Sequence, residues 1–371
     1  MPEMQDILKQ YRKDYEEKHN LPVYIKKTLS AIEKCRTAEL GAHEDVCDEC
    51  GYKKISYNSC RNRHCPKCQA SAKEKWIYNQ KFDVLNVKYF HVVFTIPDIL
   101  NKVVYYNQTK MYNILFKATS ETLQELANDN KYLGAQIGFT TILHTWGQNL
   151  KDHPHIHCIV PAGGLDKLGN WKNSKKKFFI PIKVLSKVFR GKFIYYMKQE
   201  KLDFIKELEN LKIMEEFDEF ISLLYSKDWI VYCKPPFKNA NSVIEYLGRY
   251  THRVAISNNR ILDIDNNKVT FKWRDYRDNN KMKTMELNVE EFIRRFILHI
   301  LPPKFMKIRH FGLLGNRNKT KKLTLCKILT NTKVLIKERV SPLELLKRAT
   351  GKDLNLCPIC GKGHLIRPVP I

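Results

Sequence analysis

Between Cys47 and Cys68 the chain places five cysteines in a stretch with little apolar material. Such a segment cannot close a hydrophobic core and needs a metal to fold. Its spacing is Cys47-x2-Cys50, fourteen residues, then Cys65-x2-Cys68. Each pair forms a tight knuckle that offers two thiolates at about 2.3 Å from one tetrahedral zinc ion. Gly51, directly after the first pair, suits the turn a knuckle needs. The expectation is one structural Zn²⁺ held by Cys47, Cys50, Cys65 and Cys68. A thioredoxin-like redox pair fits badly, because no βαβ pattern surrounds either pair. Cys60, His64 and His43 are left over. They complete a second site, substitute for one cysteine of the first, or are a buried thiol and hydrogen-bonded histidines. Cys357-x2-Cys360 with His364 is a further half-site, which needs a partner from elsewhere in the fold or from Cys60 and His64.

The N-terminal stretch MPEMQDILKQYRKDYEEKHN is charged and helical in character, unlike a secretory leader. The eleven cysteines are therefore expected to be metal ligands in a reducing cytoplasm rather than disulfides. Lys and Arg number 65 against 39 Asp and Glu, a net charge of +26 over 371 residues. A compact chain with that excess repels itself unless a polyanion neutralises it, and the charge is spread along the chain, so DNA is the expected partner. Lys53, Lys54, Arg61, Arg63 and Lys67 make DNA contact a natural role for the cysteine segment. No stretch approaches the roughly 20 apolar residues of a membrane span, so no membrane partner is expected.

Residues 1–46 read as two short helices, with Met4, Ile7, Leu8 and Tyr11 at helical spacing in the first. A short helix follows over 70–82. Tyr89 to Ile96 is β-branched and aromatic and stops at Pro97, a strand. Residues 99–129 read as a helix or helix pair, Gln136 to Trp146 and His155 to Pro161 as strands, and Asp166 to Trp171 as a hairpin tip. A long helical region covers 181–225, with Ile182, Leu185, Val188 and Phe189 on one face. Trp229 to Lys234 is a strand stopped by Pro235-Pro236, Asn241 to Tyr250 a short helix, and Asp263 to Trp273 a hairpin centred on Asn266-Asn267. A final amphipathic helix spans 289–300. Helices mixed with adjacent strands on short turns predict an α+β domain built on an antiparallel sheet.

Two constellations carry chemistry. In His153-Pro154-His155-Ile156-His157, alternate residues of a strand share a face, so His155 and His157 project together while Ile156, Cys158 and Val160 enter the core. Two imidazoles on a rigid strand make a platform for a divalent ion. The third ligand should come from the preceding strand, where His144 and Gln148 are candidates. Gln148 is preferred, since two histidines and an amide oxygen leave positions open for phosphate and suit Mg²⁺ or Mn²⁺. In Val243 to Thr251, Tyr246 and Tyr250 lie one helical turn apart and share a face. Either phenol could attack a phosphate held at that ion, leaving a 5′-phosphotyrosine and a free 3′-OH.

These residues resemble a known family. Ser59 to Gln69, with its run Cys60-Arg61-Asn62-Arg63-His64-Cys65, is similar to the N-terminal zinc segment of rolling-circle insertion-sequence transposases of the IS-ninety-one type. So is Phe94-Thr95-Ile96-Pro97. The stretch from His144 through His155-Ile156-His157 to Gly163-Gly164 resembles the family's histidine–hydrophobe–histidine (HUH) motif, and Tyr246-Leu247-Gly248-Arg249-Tyr250 its tyrosine motif. The resemblance implies a helical, zinc-ribbon-like DNA-recognition domain over 1–80 and an HUH nuclease core over 81–310, its antiparallel sheet flanked by helices. A basic extension carrying the CxxC knuckle would occupy 311–371. It further implies that His155 and His157 carry the catalytic metal and that Tyr246 and Tyr250 are nucleophiles. The substrate would be single-stranded DNA at element ends and target. No helicase or P-loop motif is evident, so unwinding would fall to host replication proteins or a helicase. A plasmid replication initiator or relaxase would share the chemistry. A non-enzymatic zinc-ribbon regulator would leave the histidine strand unexplained.

Overall fold

The structure, a computed structural model, describes residues 2–174, 180–237, 240–252, 254–276 and 278–367. Helices α1 (Met4–Lys18) and α2 (Val23–Glu33) form where apolar residues recur every three or four positions, burying Met4, Ile7, Leu8, Leu29 and Ile32. The hairpin β1 (Ala42–Cys47) and β2 (Lys53–Tyr57) precedes α3 (Gln69–Gln80). Then come β3 (Tyr89–Thr95), α4 (Asn101–Tyr106), α5 (Gln108–Asn128), β4 (Gly138–Trp146) and β5 (Asp152–Pro161). The small pair β6 (Gly163–Leu165) and β7 (Trp171–Asn173) leads to α6 (Ile182–Gln199), α7 (Met214–Ser226), β8 (Val231–Phe237) and α8 (Ala240–Thr251). The second half continues with β9 (Ile261–Asp265), β10 (Lys268–Asp275), β11 (Lys281–Asn288) and α9 (Val289–Leu298). It closes with β12 (Ile308–Gly312), α10 (Lys319–Leu329), α11 (Pro342–Thr350) and β13 (Leu365–Ile366).

The central sheet has the order β12-β4-β5-β3-β8, with every pairing antiparallel. Its two faces differ in chemistry because strand side chains alternate. One face presents Phe90, Val92, Phe94, Phe139, Leu143, Ile156, Cys158 and Val160 to α5 and α6, where Leu115, Phe116, Phe189 and Phe193 complete the main core. Burying each such side chain stabilises the fold by about 1.5–3 kcal/mol, so this face fixes the sheet. The opposite face carries Tyr89, His91, Ile142, His144, His155, His157 and Ile159. There Tyr89, Ile142 and Ile159 pack with Val243 of α8. The α+β class and antiparallel sheet expected from the sequence are what the chain adopts.

A second core unites distant segments. Met4, Ile7, Leu8, Ile25 and Leu29 pack with Val269, Phe271, Phe292, Ile293 and Phe296, and Cys35, Cys65, Trp146 and Leu150 join them. Residues on both sides of position 80 thus share one core. Helices α1 and α2 share a core with the three-stranded sheet β11-β10-β9 and with α9.

Several elements depart from the sequence reading. Strand β8 continues through Pro235-Pro236 to Phe237. It is an edge strand, where a missing amide donor costs no ladder bond, and its pairing with β3 shifts register between Tyr89 and His91. Ile182 is 43% exposed while Leu185 and Phe189 are buried, because Ile182 is the first residue of α6 and overhangs the core. The Asn266-Asn267 turn has the positive φ values, 47° and 60°, of a tight hairpin. Asn279-Asn280 repeats it at 46° and 60° and adds β11, which the sequence reading lacks. It lacks β12, α10, α11 and β13 as well.

Helix α8 approaches α3 closely at one point. Gly248 is buried, and a Cβ there would collide with the Ile77 side chain of α3. Gly248→Val should therefore destabilise the protein by about 1–3 kcal/mol through overpacking, read as a lower thermal midpoint. Adding Ile77→Ala, which opens the space, should recover most of the loss.

Candidate metal centres and tyrosine site

Antiparallel pairing sets His144 directly opposite His155 and Ile142 opposite His157. The imidazoles of His144, His155 and His157 thereby share one face, and each offers a nitrogen within 4.8 Å of the others. They retain only 3%, 9% and 7% of their exposure, so most of the bulk water around them is displaced. His155 Nδ1 lies 2.5 Å from the His153 carbonyl, which accepts its proton, so the lone pair is carried by Nε2. That Nε2 stands 3.0 Å from Nε2 of His157. About 3.0 Å is the separation of two cis ligands each about 2.1 Å from one ion. The donor set fits a divalent ion that accepts nitrogen.

Gln148 does not join this set. Strand β4 ends at Trp146 after a register shift against β5, and residues 147–150 turn away. Gln148 Nε2 instead donates to the Tyr276 hydroxyl at 3.1 Å. The third candidate ligand is His144, which continues the strand's alternation and needs no turn. An all-imidazole set also moves the preference away from Mg²⁺, which favours oxygen, toward Mn²⁺ and softer ions.

A residue absent from the sequence reading connects this trio to a tyrosine. His91 of β3, 2% exposed, has Nε2 2.8 Å from His157 Nδ1. On its other side, Nδ1 lies 3.1 Å from the Tyr246 hydroxyl. Burial, then the nearby charge of Lys234, pushes the His91 imidazolium down to about 3, so the ring is neutral. The Lys234 ammonium stands 5.5 Å from the Tyr246 ring centre and Phe237 packs on that ring at 4.7 Å. The sequence offers for His91 only a histidine among the mostly apolar residues of a strand, which an ordinary core histidine also shows. Tyr250 lies one turn further along α8, and its side chain falls outside the described residues.

The four cysteines expected to share one zinc are separated. Cys65 and Cys68 gather with Cys35 and Cys60, whereas Cys47 and Cys50 gather with Cys357 and Cys360. In the first group the Cys68 sulfur is 3.5 Å from Cys35 and 3.6 Å from Cys60, close to the edge of a tetrahedral thiolate site. The hairpin β1–β2 carries Cys47 and Cys50 away from Cys65, which lies in the second core. Cys35, two residues past α2, and Cys60 take their places in the cluster. Neither leftover histidine belongs to a ligand cluster among the described residues. His43 bonds Asn58 at 3.2 Å and faces Asp45. His64 accepts the Leu301 amide at 3.3 Å, and burial pushes its imidazolium down to about 3. His364 faces Asp353 at 3.4 Å.

The basic side chains of this segment divide likewise. Arg63 donates to the carbonyls of Leu301, Pro302 and Phe305, and Lys67 pairs with Glu3 at 2.6 Å. Both are occupied within the fold, while Lys54 and Arg61 are exposed.

Two thiol clusters and a histidine trio on an antiparallel sheet define an α+β metal-binding protein. A family model described as "Transposase zinc-binding domain" matches residues 7–96, and one described as "Putative transposase" matches residues 138–322. "Putative transposase y4qJ" of Sinorhizobium fredii (strain NBRC 101917 / NGR234) is 44% identical over 375 aligned residues, covering 98% of this chain and 94% of that protein. "Transposase for insertion sequence element IS801" of Pseudomonas savastanoi pv. phaseolicola is 28% identical over 300 residues, 78% of this chain and 70% of that protein. A conjugative relaxase, TRWC, in a copper-bound complex with oriT DNA aligns with 61% of this chain and 92% of its own at 10% identity. The TM-score of that alignment is 0.26. The chain belongs to the family of insertion-sequence transposases of the IS-ninety-one type, with a zinc-binding domain near its N-terminus. No helix among the described residues is long and apolar enough to cross a membrane.

The trio and the amide make opposite forecasts. His144→Ala should weaken Mn²⁺ binding, followed by calorimetry on the zinc-loaded protein, by at least about tenfold, the loss that even an outer-sphere partner produces. Gln148→Ala should bind like the parent.

Proposed function

We propose that this transposase nicks and rejoins single-stranded DNA at the ends of its element through a 5′-phosphotyrosine on Tyr246, driving rolling-circle-like transposition. The observation that carries this reading is the continuous path from the Tyr246 hydroxyl through His91 to His157, at 3.1 and 2.8 Å. A divalent ion held by His144, His155 and His157 would supply positive charge to the non-bridging phosphate oxygens and orient the scissile bond.

The protein's own groups then have defined tasks. With Nε2 of His157 committed to the trio, its Nδ1 carries the proton and donates to His91 Nε2. The remaining proton of His91 therefore sits on Nδ1 and is donated to the Tyr246 oxygen. A phenol of pKa about 10 is almost wholly protonated at neutral pH, so a donor aimed at its oxygen favours the anion that attacks. The oxygen–phosphorus bond forms as the bond to the 3′ oxygen breaks. The phenol proton leaves to solvent, and the departing oxygen takes one up. His91, neutral and buried, holds the nucleophile in register and does not itself gain a charge. Lys234, beside the ring, is placed to meet a phosphate. The phosphotyrosine keeps the phosphodiester energy for rejoining, and Tyr250, one turn away, serves as the second nucleophile. The DNA is expected to be opened by host replication proteins or a helicase, in the cytoplasm.

A labelled single-stranded oligonucleotide spanning the element's end, incubated with the protein and Mn²⁺, should yield an adduct that survives denaturing electrophoresis. Tyr246→Phe should lower its formation by at least about 10³-fold, as loss of a nucleophile does. Equal adduct from the parent and from this variant would overturn the assignment of Tyr246. His91→Ala should cost about 10- to 100-fold, the range for a group that orients a ligand from outside the first coordination sphere, while leaving oligonucleotide affinity unchanged. Chelation of the divalent ion should abolish cleavage without releasing bound DNA. A regulator without catalysis would bind DNA and form no adduct under any of these conditions.

A further inference from the structure

We infer that Cys47, Cys50, Cys357 and Cys360 form a second, separate zinc site that fastens the segment around residues 352–367 to the N-terminal zinc-binding region. The matched zinc-binding domain covers residues 7–96, so half of these ligands lie outside it, and the cluster of Cys35, Cys60, Cys65 and Cys68 is complete without them.

The sulfur geometry is that of a tetrahedral site. Cys47 Sγ is 3.8 Å from Cys360 Sγ, and Cys50 Sγ is 3.7 Å from Cys357 Sγ. Four thiolates at about 2.3 Å from one ion have edges of about 3.8 Å. Sulfurs this far apart are not bonded to each other, and all four cysteines are free.

The two loops are copies of one knuckle. In each, the amide of a glycine four residues after the first cysteine donates to that cysteine's carbonyl: Gly51 to Cys47 at 3.1 Å and Gly361 to Cys357 at 3.0 Å. Both glycines have left-handed φ, 69° and 63°, which a side chain would oppose. Amides also point at sulfur, Cys50 N at Cys47 Sγ (3.5 Å) and Gly363 N at Cys360 Sγ (3.3 Å). Such donors stabilise thiolate, the form a metal binds.

The loops are joined by more than sulfur. Strand β13 pairs with β1, Cys47 opposite Leu365 and Val46 opposite Ile366. The Asp48 amide donates to the His364 carbonyl at 3.1 Å, and the His364 amide donates to the Asp48 carboxylate at 2.6 Å. At Gly363 a Cβ would stand 2.6 Å from Cys47 Sγ and 2.7 Å from Asp48 Oδ1, so the contact admits no side chain. Yet among the described residues the local core comprises only Cys47, Cys357 and Leu365, with Tyr52 and Cys360 at its edge. So little apolar surface cannot hold two segments three hundred residues apart, whereas a structural zinc can.

The link also reaches the tyrosine site. Helix α11, just before the second knuckle, packs on α3, and α3 packs on α8, which carries Tyr246. The second zinc therefore anchors the segment that follows α11, a helix that shares α3 with α8 as a packing partner.

The test is the zinc content of the full chain, expressed with ample zinc and measured by plasma mass spectrometry alongside a thiol count. Two cysteine-bound zinc ions per chain are expected in a His155→Ala/His157→Ala background, which keeps zinc off the histidine trio, falling to one when Cys357→Ser/Cys360→Ser or Cys60→Ser/Cys65→Ser is added. One zinc in that background, or two retained after Cys357→Ser/Cys360→Ser, would overturn the inference. If a variant fails to fold, the parent alone decides: with zinc bound, Cys47, Cys50, Cys357 and Cys360 should resist alkylation together and become reactive together when the metal is stripped. Alkylation of Cys357 and Cys360 in the zinc-loaded protein at the rate of free thiols would equally overturn it.

Discussion

The arrangement of this transposase rests on the pairing of β4 with β5. One register, His144 opposite His155 and Ile142 opposite His157, decides both faces of the sheet at once. A slip of β5 by one residue would turn His155 and His157 into the aromatic core and send Ile156 and Cys158 to the opposite face. The hydrophobic load on the core face is what forbids that slip. Stability and chemistry are thus set by a single alternation, and the large core under α5 and α6 is the reason a polar, ligand-bearing face can exist above it.

Much of this was legible from residues alone. The alternation His155-Ile156-His157 gave the platform, and the i, i+4 spacing of Tyr246 and Tyr250 gave a helix that could face it. Those are local periodicities, which a sequence displays directly. Gln148 continues the alternate pattern on paper, but the strand ends at Trp146 and a turn breaks the period, which leaves it outside the histidine cluster. His91 was missed for a different reason. Its partners are 66 and 155 residues away, and no local pattern distinguishes such a residue from an ordinary core histidine.

The cysteines show the same limit more sharply. A CxxC pair announces half a zinc site, and nothing in the spacing says which other half it meets. Nearness along the chain suggested joining the pairs at 47 and 65, but the hairpin between them sends the first outward while the second enters the core shared with α1 and α2. The partner of the first pair lies beyond residue 350, and the partner of the second includes Cys35, a single cysteine with no motif around it. Sequence spacing fixed the ligand type, and the fold chose the combinations.

The interleaving of the second core bears on how the molecule is made. Met4, Ile7 and Leu8 find their apolar partners in Phe292, Ile293 and Phe296, nearly three hundred positions later. At about 5–20 residues per second of ribosomal synthesis, the first two helices wait roughly 15 to 60 s before the surfaces they need have emerged. During that interval their greasy stripes are open to chaperones or to wrong associations. Assembly of this half of the molecule is therefore expected to follow translation of the β9–α9 region, whereas the sheet and helices of the main core can begin to condense earlier.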